Sequence, residues 1–223
     1  MSGQPLTDLT YEQWINHVFD HPVPFSGQAW YYGDADWWEP QPRQAIAYLT
    51  RLFEAPDPLI EEFSDSQIGQ GLTYLISVDD HCRFLADDAV PADTRVTCIS
   101  AMRTLFRQIF EPRCVPILSH LDEPGGNELS YICYMWWDVG SLGVTSKPRK
   151  RDPIHEACLG VMRDTLTLPN PACQESALHG LGHWARAYQE FTSATIDAYL
   201  AANAKLRPEL VRYAQAARAG CVQ

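Results

Sequence analysis

Residues 173–184 read CQESALHGLGHW, a proline-free stretch whose apolar side chains recur at the spacing of an α-helix. At about 100° per residue, one continuous apolar arc is formed by Cys173, Ala177, Leu178, Leu181, Trp184, Ala185 and Tyr188. Glu175, His179 and His183 fall on the opposite side of the helical wheel. We therefore expect a helix with a polar face that carries both histidines outside the core.

Helix-start signals recur along the rest of the chain. Four side chains are placed to cap the first turn of a helix, namely Thr10, Ser64, Asn127 and Asp152. Thr10 and Ser64 are each followed three residues later by Gln, which completes the capping-box pattern. A long helix is predicted over 94–110, closed by Pro112 and Pro116, and Gly220 is predicted to end the last helix. Alternating strand patterns with hairpin turns are absent, which predicts few strands.

The pattern of short helices joined by proline-containing turns favours one all-α domain over residues 1–223, with a long irregular segment at 20–42. The pattern A-L-x-x-L-G, present as Ala177, Leu178, Leu181 and Gly182, is similar to the second helix of HEAT-like repeats. The string CQESALHGLGH also resembles bacterial all-helical proteins of that kind, some of which are immunity proteins to secreted toxins. The resemblance covers the last third of the chain. It implies a right-handed array of stacked antiparallel helix pairs and carries over no catalytic residue.

The acidic charge is concentrated in the N-terminal part of the chain. The formal net charge is −11, but residues 1–93 hold sixteen acids and three bases, a net −13, whereas residues 94–223 hold twelve acids and fourteen bases, a net +2. Such a field repels nucleic acid and attracts a basic protein. A short basic run, interpreted as a solvated loop with anion binding as the alternative, consists of Lys147, Arg149, Lys150 and Arg151.

The stretch WYYGDADWWEP, residues 30–40, packs five aromatic residues and three acids together, a composition suited to a basic, partly apolar partner. Alternatively, Trp37 and Trp38 fold the segment onto the helices, as we expect for at least one of them. The acid pairs 79–80 and 87–88 have no EF-hand spacing and no evident His or Lys partner, so we assign them to the acidic surface. The predicted partner-binding residues are Trp30, Tyr31, Tyr32, Asp34, Asp36, Trp37, Trp38, Glu39, Asp79, Asp80, Asp87, Asp88, His179 and His183.

A metal site on the same helix is the main alternative. Glu175, His179 and His183 share a face at i, i+4 and i+8 and offer ligands that zinc accepts. However, the HExxH pattern needs a glutamate directly after the first histidine, where this chain has Gly180. Three successive turns also extend over about 12 Å, too far for one ion to take all three side chains, although His155 could add a ligand. We predict no metal and no cofactor, with a metal-dependent enzyme centred on His179 and His183 as the alternative.

The remaining signals concern location and activity. The seven cysteines are odd in number and form no CxxC pair, which predicts free, buried thiols in a reducing compartment. The first residues lack the features of a secretory signal and no apolar run is long enough to cross a bilayer, so we expect a cytoplasmic protein that does not contact membranes. Nucleophile-elbow, P-loop and dinucleotide motifs are absent. We therefore predict a non-catalytic protein-binding domain, specifically an immunity protein that occludes a basic toxin, with a general helical adaptor as a further alternative.

Overall fold

Helices make up nearly all of the regular structure in the computed structural model, which describes residues 3–24, 28–56, 58–139 and 152–222. The helices are α1 (Tyr11–Phe19), α2 (Pro42–Glu54), α3 (Pro58–Glu61), α4 (Asp65–Thr73), α5 (Ala92–Leu105), α6 (Glu111–Arg113), α7 (Glu128–Met135), α8 (Pro153–Thr165), α9 (Pro171–Trp184), α10 (Gln189–Ala202) and α11 (Pro208–Arg218). Two π-helical segments, Tyr74–Val78 and Phe106–Phe110, continue α4 and α5, and 3₁₀ turns cover Trp30–Tyr32, His81–Leu85 and Ser119–Leu121. The chain is all-α, as predicted.

Within the described residues, strand structure is limited to β1 (Pro5–Leu6) and β2 (Trp37–Trp38), which agrees with the expectation of few strands. The two strands pair in parallel, with Pro5 opposite Trp37 and Leu6 opposite Trp38. This pairing ties the end of the irregular segment to the N-terminal strand.

The capping residues identified from the sequence all cap helices. Thr10 and Ser64 both form complete capping boxes with the glutamines that follow them. The side chains of Asn127 and Asp152 accept hydrogen bonds from the first-turn amides of α7 and α8. Because each of these caps depends only on residues two or three positions apart, sequence alone was sufficient here.

The long helix that includes α5 ends between Pro112 and Pro116, the two prolines predicted to close it, but Pro112 itself lies within the helical stretch. The chain stays helical through Arg113 in α6 and turns extended at Cys114. A proline inside a regular α-helix clashes with the carbonyl four residues earlier, which here is Gln108. That residue lies in the π segment Phe106–Phe110, whose wider turn accommodates the ring.

The helices pack in two rows. In one row α2 contacts α5 and α5 contacts α8. In the other α1 contacts α4, α4 contacts α7, α7 contacts α9, and α9 contacts α11. The rows are joined by contacts between α8 and α9, and α10 packs on α9 and α11. The HEAT-like, right-handed form of this arrangement stays a prediction.

Glycines in α9 allow neighbouring elements to approach closely. A Cβ atom added to Gly180 would lie 2.7 Å from Cβ of Trp137, which follows α7. A Cβ atom added to Gly182 would lie 2.6 Å from Cγ1 of Val222. A side chain at either position would therefore collide with a neighbouring element. Gly220 ends α11 with φ of +70°, in the left-handed region that favours glycine.

The cysteines are free, and all seven lie in the described part of the chain. Six are buried, as predicted, whereas Cys221 is exposed. Burial raises the pKa of the Cys98 and Cys158 thiols to about 12, so both stay protonated at neutral pH.

Candidate functional site

The aromatic segment 30–40 contains both buried and exposed tryptophans. The Trp38 side chain is 1% exposed, and its ring stacks on Tyr48 with the centroids 5.3 Å apart and lies 5.5 Å from the ring of Trp14. Trp37 is 41% exposed. The expectation that at least one tryptophan folds the segment onto the helices is therefore confirmed. The assignment of Trp38 as a partner contact is wrong, because the core covers its side chain.

The other aromatic residues of this segment differ in exposure in the same way. Trp30 is half-buried and stacks on His21 with 3.8 Å between ring centroids, while Tyr31 stacks on Tyr74 at 6.0 Å. Tyr32 is 61% exposed. The exposed side chains of the segment, called here the acidic aromatic face, are Tyr32, Asp34, Asp36, Trp37 and Glu39.

Asp79 belongs to a polar cluster rather than to the open acidic surface. Its carboxylate accepts a hydrogen bond of 2.8 Å from the Tyr74 hydroxyl and lies 3.1 Å from Nε2 of the buried His81. The expectation that this acid has no histidine partner is wrong. Burial acts to raise the pKa of Asp79, but the hydrogen bonds from His81 and Tyr74 outweigh it, and the pKa lies below its usual value.

His17 adds a second imidazole to this cluster. Its Nε2 lies 3.4 Å from the Tyr74 hydroxyl. Burial, followed by the neighbouring His21 and His81, lowers the pKa of His17 to about 4. We call His17, Tyr74, Asp79 and His81 the N-terminal polar cluster. No local sequence pattern reveals this cluster, because its members come from separate elements.

The three remaining acids of the pairs 79–80 and 87–88 lie around the 3₁₀ turn His81–Leu85. Asp80 adopts a left-handed conformation with φ of +43° before the 3₁₀ turn His81–Leu85. Asp87 accepts a hydrogen bond from the Ala89 amide, and Asp88 pairs with Arg95 at 3.0 Å. Asp87 and Asp88 thus have partners within the protein, although the Asp88 side chain is 88% exposed. The basic run at 147–151 lies outside the described residues.

The polar face expected on α9 is largely buried. Glu175 is fully buried and His179 is 1% exposed, whereas the His183 side chain is 34% exposed. The expectation that both histidines lie outside the core is therefore wrong for His179, which no partner can contact directly. The physical reason is that α9 packs against α7, α8, α10 and α11, so that neighbours cover most of its circumference.

Glu175 binds the turn that precedes α7. Its carboxylate accepts hydrogen bonds from the backbone amides of Ser119, at 2.8 Å, and His120, at 3.0 Å, and also pairs with the His120 ring. Burial raises the pKa of Glu175, against the opposing effect of the His120 contacts. Glu175 is therefore engaged away from the histidines of its own helix.

His179 lies between Tyr213 of α11 and His183. Its Nδ1 is 2.7 Å from the Tyr213 hydroxyl, which in turn lies 3.2 Å from the hydroxyl of Tyr134. Its Nε2 is 3.2 Å from Nε2 of His183. Burial, followed by the nearby His183, lowers the pKa of His179 to about 4.

Asp138, three residues after the end of α7, lies beside His179 and His183, so that three side chains able to bind a metal are grouped here. One carboxylate oxygen is 3.3 Å from Nε2 of His183, and the other is 3.8 Å from Nε2 of His179. His155, suggested from the sequence as a further ligand, instead bonds the Tyr188 hydroxyl at 2.6 Å. In the sequence, Asp138 stands out only as the acid that directly follows the apolar residues of α7. The sequence does not show which helix this side chain faces.

Comparison with known proteins gives no match for this chain among family models, curated proteins or solved structures. None of the helices in the described ranges combines the length and the apolar character needed to cross a membrane.

Proposed function

We propose that this protein is a binding protein whose acidic aromatic face engages a basic protein partner. The observation that carries the proposal is the exposure of Tyr32 and Trp37 beside three acids. Among the described residues five large hydrophobic side chains are exposed, and this short segment supplies two of them. Tyr and Trp are the side chains most often found as binding anchors, so this concentration favours an interface.

The face is held in place before any partner binds. The carboxylate of Asp36 accepts a hydrogen bond of 2.8 Å from the Gln4 amide, and β2, which follows it directly, pairs with β1. Trp38, directly after Trp37, is fixed in the core. Because binding then orders little additional backbone, less free energy is lost on association.

Charge supports a basic partner. The face belongs to residues 1–93, whose net charge is −13. A field of this sign speeds the encounter with a cationic protein and makes association sensitive to salt. The same field opposes the approach of nucleic acid phosphates, which favours protein over nucleic acid as the ligand.

In its specific form, the proposal is a non-catalytic cytoplasmic immunity protein on a HEAT-like scaffold. The partner is then a toxin with a cationic active-site cleft, such as a nuclease. The acids of the face occupy the place of substrate phosphates, and Tyr32 and Trp37 fill the cleft. Inhibition is by occlusion and requires no chemistry by this chain.

The experiment begins with crosslinked affinity capture from the source cells, using the full chain as bait, and identification of a basic protein that is retained. The purified partner is then titrated by calorimetry at low and high salt. We expect Trp37→Ala to raise Kd at least about tenfold, equivalent to about 1.4 kcal/mol. We expect Glu39→Lys to raise Kd and to reduce its salt dependence.

The matched controls are Glu61→Lys and Glu62→Lys, which change exposed acids of the same acidic region outside the face. Each should change Kd by less than about threefold. Equal losses in the face and control variants would reject the face as the interface. For the toxin form, one equivalent of this protein should abolish the activity of the partner, and full activity in the saturated complex would disprove occlusion.

A further inference from the structure

Three side chains with atoms that can bind a metal lie close together near the C-terminal end of α9. Nε2 of His179 and Nε2 of His183 are 3.2 Å apart, and the carboxylate oxygens of Asp138 lie 3.3 Å from the second and 3.8 Å from the first. An ion held at about 2.1 Å by nitrogen and oxygen ligands separates tetrahedral ligand atoms by about 3.4 Å. The separation of the two imidazole nitrogens matches that spacing, and one ligand atom from each of the three residues lies within 4.8 Å of the other two, so a small adjustment of the side chains brings all three around one ion.

We propose that Asp138, His179 and His183 bind a divalent transition-metal ion, with Zn²⁺ as the expected ion. The site is independent of the acidic aromatic face. Asp138 is the third ligand in place of Glu175, whose carboxylate is bonded to Ser119 and His120.

The partner of the second ring nitrogen of His179 supports this assignment. Its Nδ1 lies 2.7 Å from the hydroxyl of Tyr213, a buried side chain of α11. When Nδ1 donates its proton to that oxygen, the lone pair of Nε2 points to the site shared with His183 and Asp138. Metal-binding histidines regularly use their second nitrogen in this way, which fixes the ring and its tautomer.

The backbone brings the three ligands together through Gly180. This glycine lies one residue after His179, and a Cβ atom there would be 2.7 Å from Cβ of Trp137. Trp137 precedes Asp138 directly. The missing side chain thus lets the segment after α7 lie against α9, at the distance where the carboxylate reaches both imidazoles.

Exposure and ligand chemistry define the kind of ion. His179 is buried, whereas the side chains of His183 and Asp138 are 34% and 36% exposed, so an ion can enter from solvent and keep coordination positions for water. Two imidazoles and one carboxylate suit Zn²⁺ and neighbouring transition metals. Mg²⁺ and Ca²⁺ prefer oxygen ligands throughout and are not expected to bind.

The test uses the full chain without a histidine tag, stripped of metal by a chelator and titrated with Zn²⁺ by calorimetry. We expect one equivalent to bind, and Asp138→Asn and His183→Gln each to weaken binding by at least about tenfold. Co²⁺ in place of Zn²⁺ should give visible absorption bands of a low-coordinate nitrogen and oxygen site. Mg²⁺ should produce no binding heat.

The matched control is His21→Gln, which removes a half-buried histidine of the N-terminal region. It should bind Zn²⁺ as the wild type does, and Zn²⁺ should raise the melting temperature of both proteins but not that of His183→Gln. Circular dichroism of each metal-free variant checks folding, and Asp138→Asn serves if His183→Gln does not fold. Binding weaker than about 100 μM, or binding that Asp138→Asn leaves unchanged, would overturn the proposal.

Discussion

The buried carboxylate of Glu175 accepts a hydrogen bond of 3.0 Å from the backbone amide of His120 and also pairs with the ring of the same residue. This contact joins α9 to the 3₁₀ turn Ser119–Leu121, 55 residues earlier in the chain. A side chain that a helical wheel places on a solvent-facing surface is therefore an internal link between two elements.

Replacement of Glu175 should destabilise the fold strongly. Glu175→Ala removes the acceptor for the amides of Ser119 and His120, and we expect a loss of about 3 kcal/mol in the free energy of unfolding. Glu175→Gln keeps one oxygen acceptor and should cost less. Urea denaturation measures both. The exposed Glu190 provides the control, since Glu190→Ala should change stability by less than about 0.5 kcal/mol. A loss for Glu175→Ala as small as that of the control would contradict the role assigned to the link.

Gly180→Ala should destabilise the protein although alanine is the better helix former. The added Cβ would lie 2.7 Å from Cβ of Trp137, and overpacking of this kind costs about 1–3 kcal/mol, more than the gain of about 1 kcal/mol in helix propensity. In Gly160→Ala the new Cβ would meet only the flexible end of Arg103, at 2.8 Å. That variant should be neutral or slightly more stable. Thermal unfolding measures the stability of both variants. If Gly180→Ala were more stable than Gly160→Ala, the contact with Trp137 would not be what requires glycine at this position.

The sequence was sufficient for features that depend on nearby residues. The caps at Thr10, Ser64, Asn127 and Asp152 and the left-handed Gly220 were all predicted correctly, because each depends on a few consecutive residues. The candidate sites depend on contacts between distant elements, and there the sequence was not sufficient. The burial of His179 follows from the neighbours packed around α9, and the position of Asp138 beside it follows from the approach of α7. A helical wheel describes one helix by itself, so it shows neither contact.

Stability should fall as the pH decreases from about 6.5 to about 4, in part because of His17. Its pKa is lowered from 6.5 to about 4 in the folded protein, mainly by burial and then by His21 and His81, while Asp79 and Asp36 oppose the shift. The unfolded chain therefore takes up a proton in this interval that the folded chain does not, which favours unfolding. The stabilising contribution is fully present above about pH 6.5.

His17→Gln should make stability less dependent on pH. Glutamine cannot bind the proton, so the difference in urea midpoint between pH 7 and pH 4.5 should be smaller than in the wild type. Some dependence should remain, because the pKa of His179 is also lowered to about 4. Identical pH dependence in the two proteins would show that the protonation of His17 is not linked to folding.

Truncation of the two adjacent tryptophans of β2 should cost very different amounts of stability. Trp38→Ala removes a side chain that is 1% exposed and packed on Tyr48 and Trp14, and loss of such an aromatic group costs about 3–5 kcal/mol. Trp37→Ala removes a ring that is 41% exposed and should cost less than about 1 kcal/mol. Urea denaturation, followed by circular dichroism, measures both. The pair is matched in chemistry and in sequence position, so the difference reports burial alone. If Trp37→Ala proved as destabilising as Trp38→Ala, Trp37 would be a structural residue, and the acidic aromatic face would lose its main anchor.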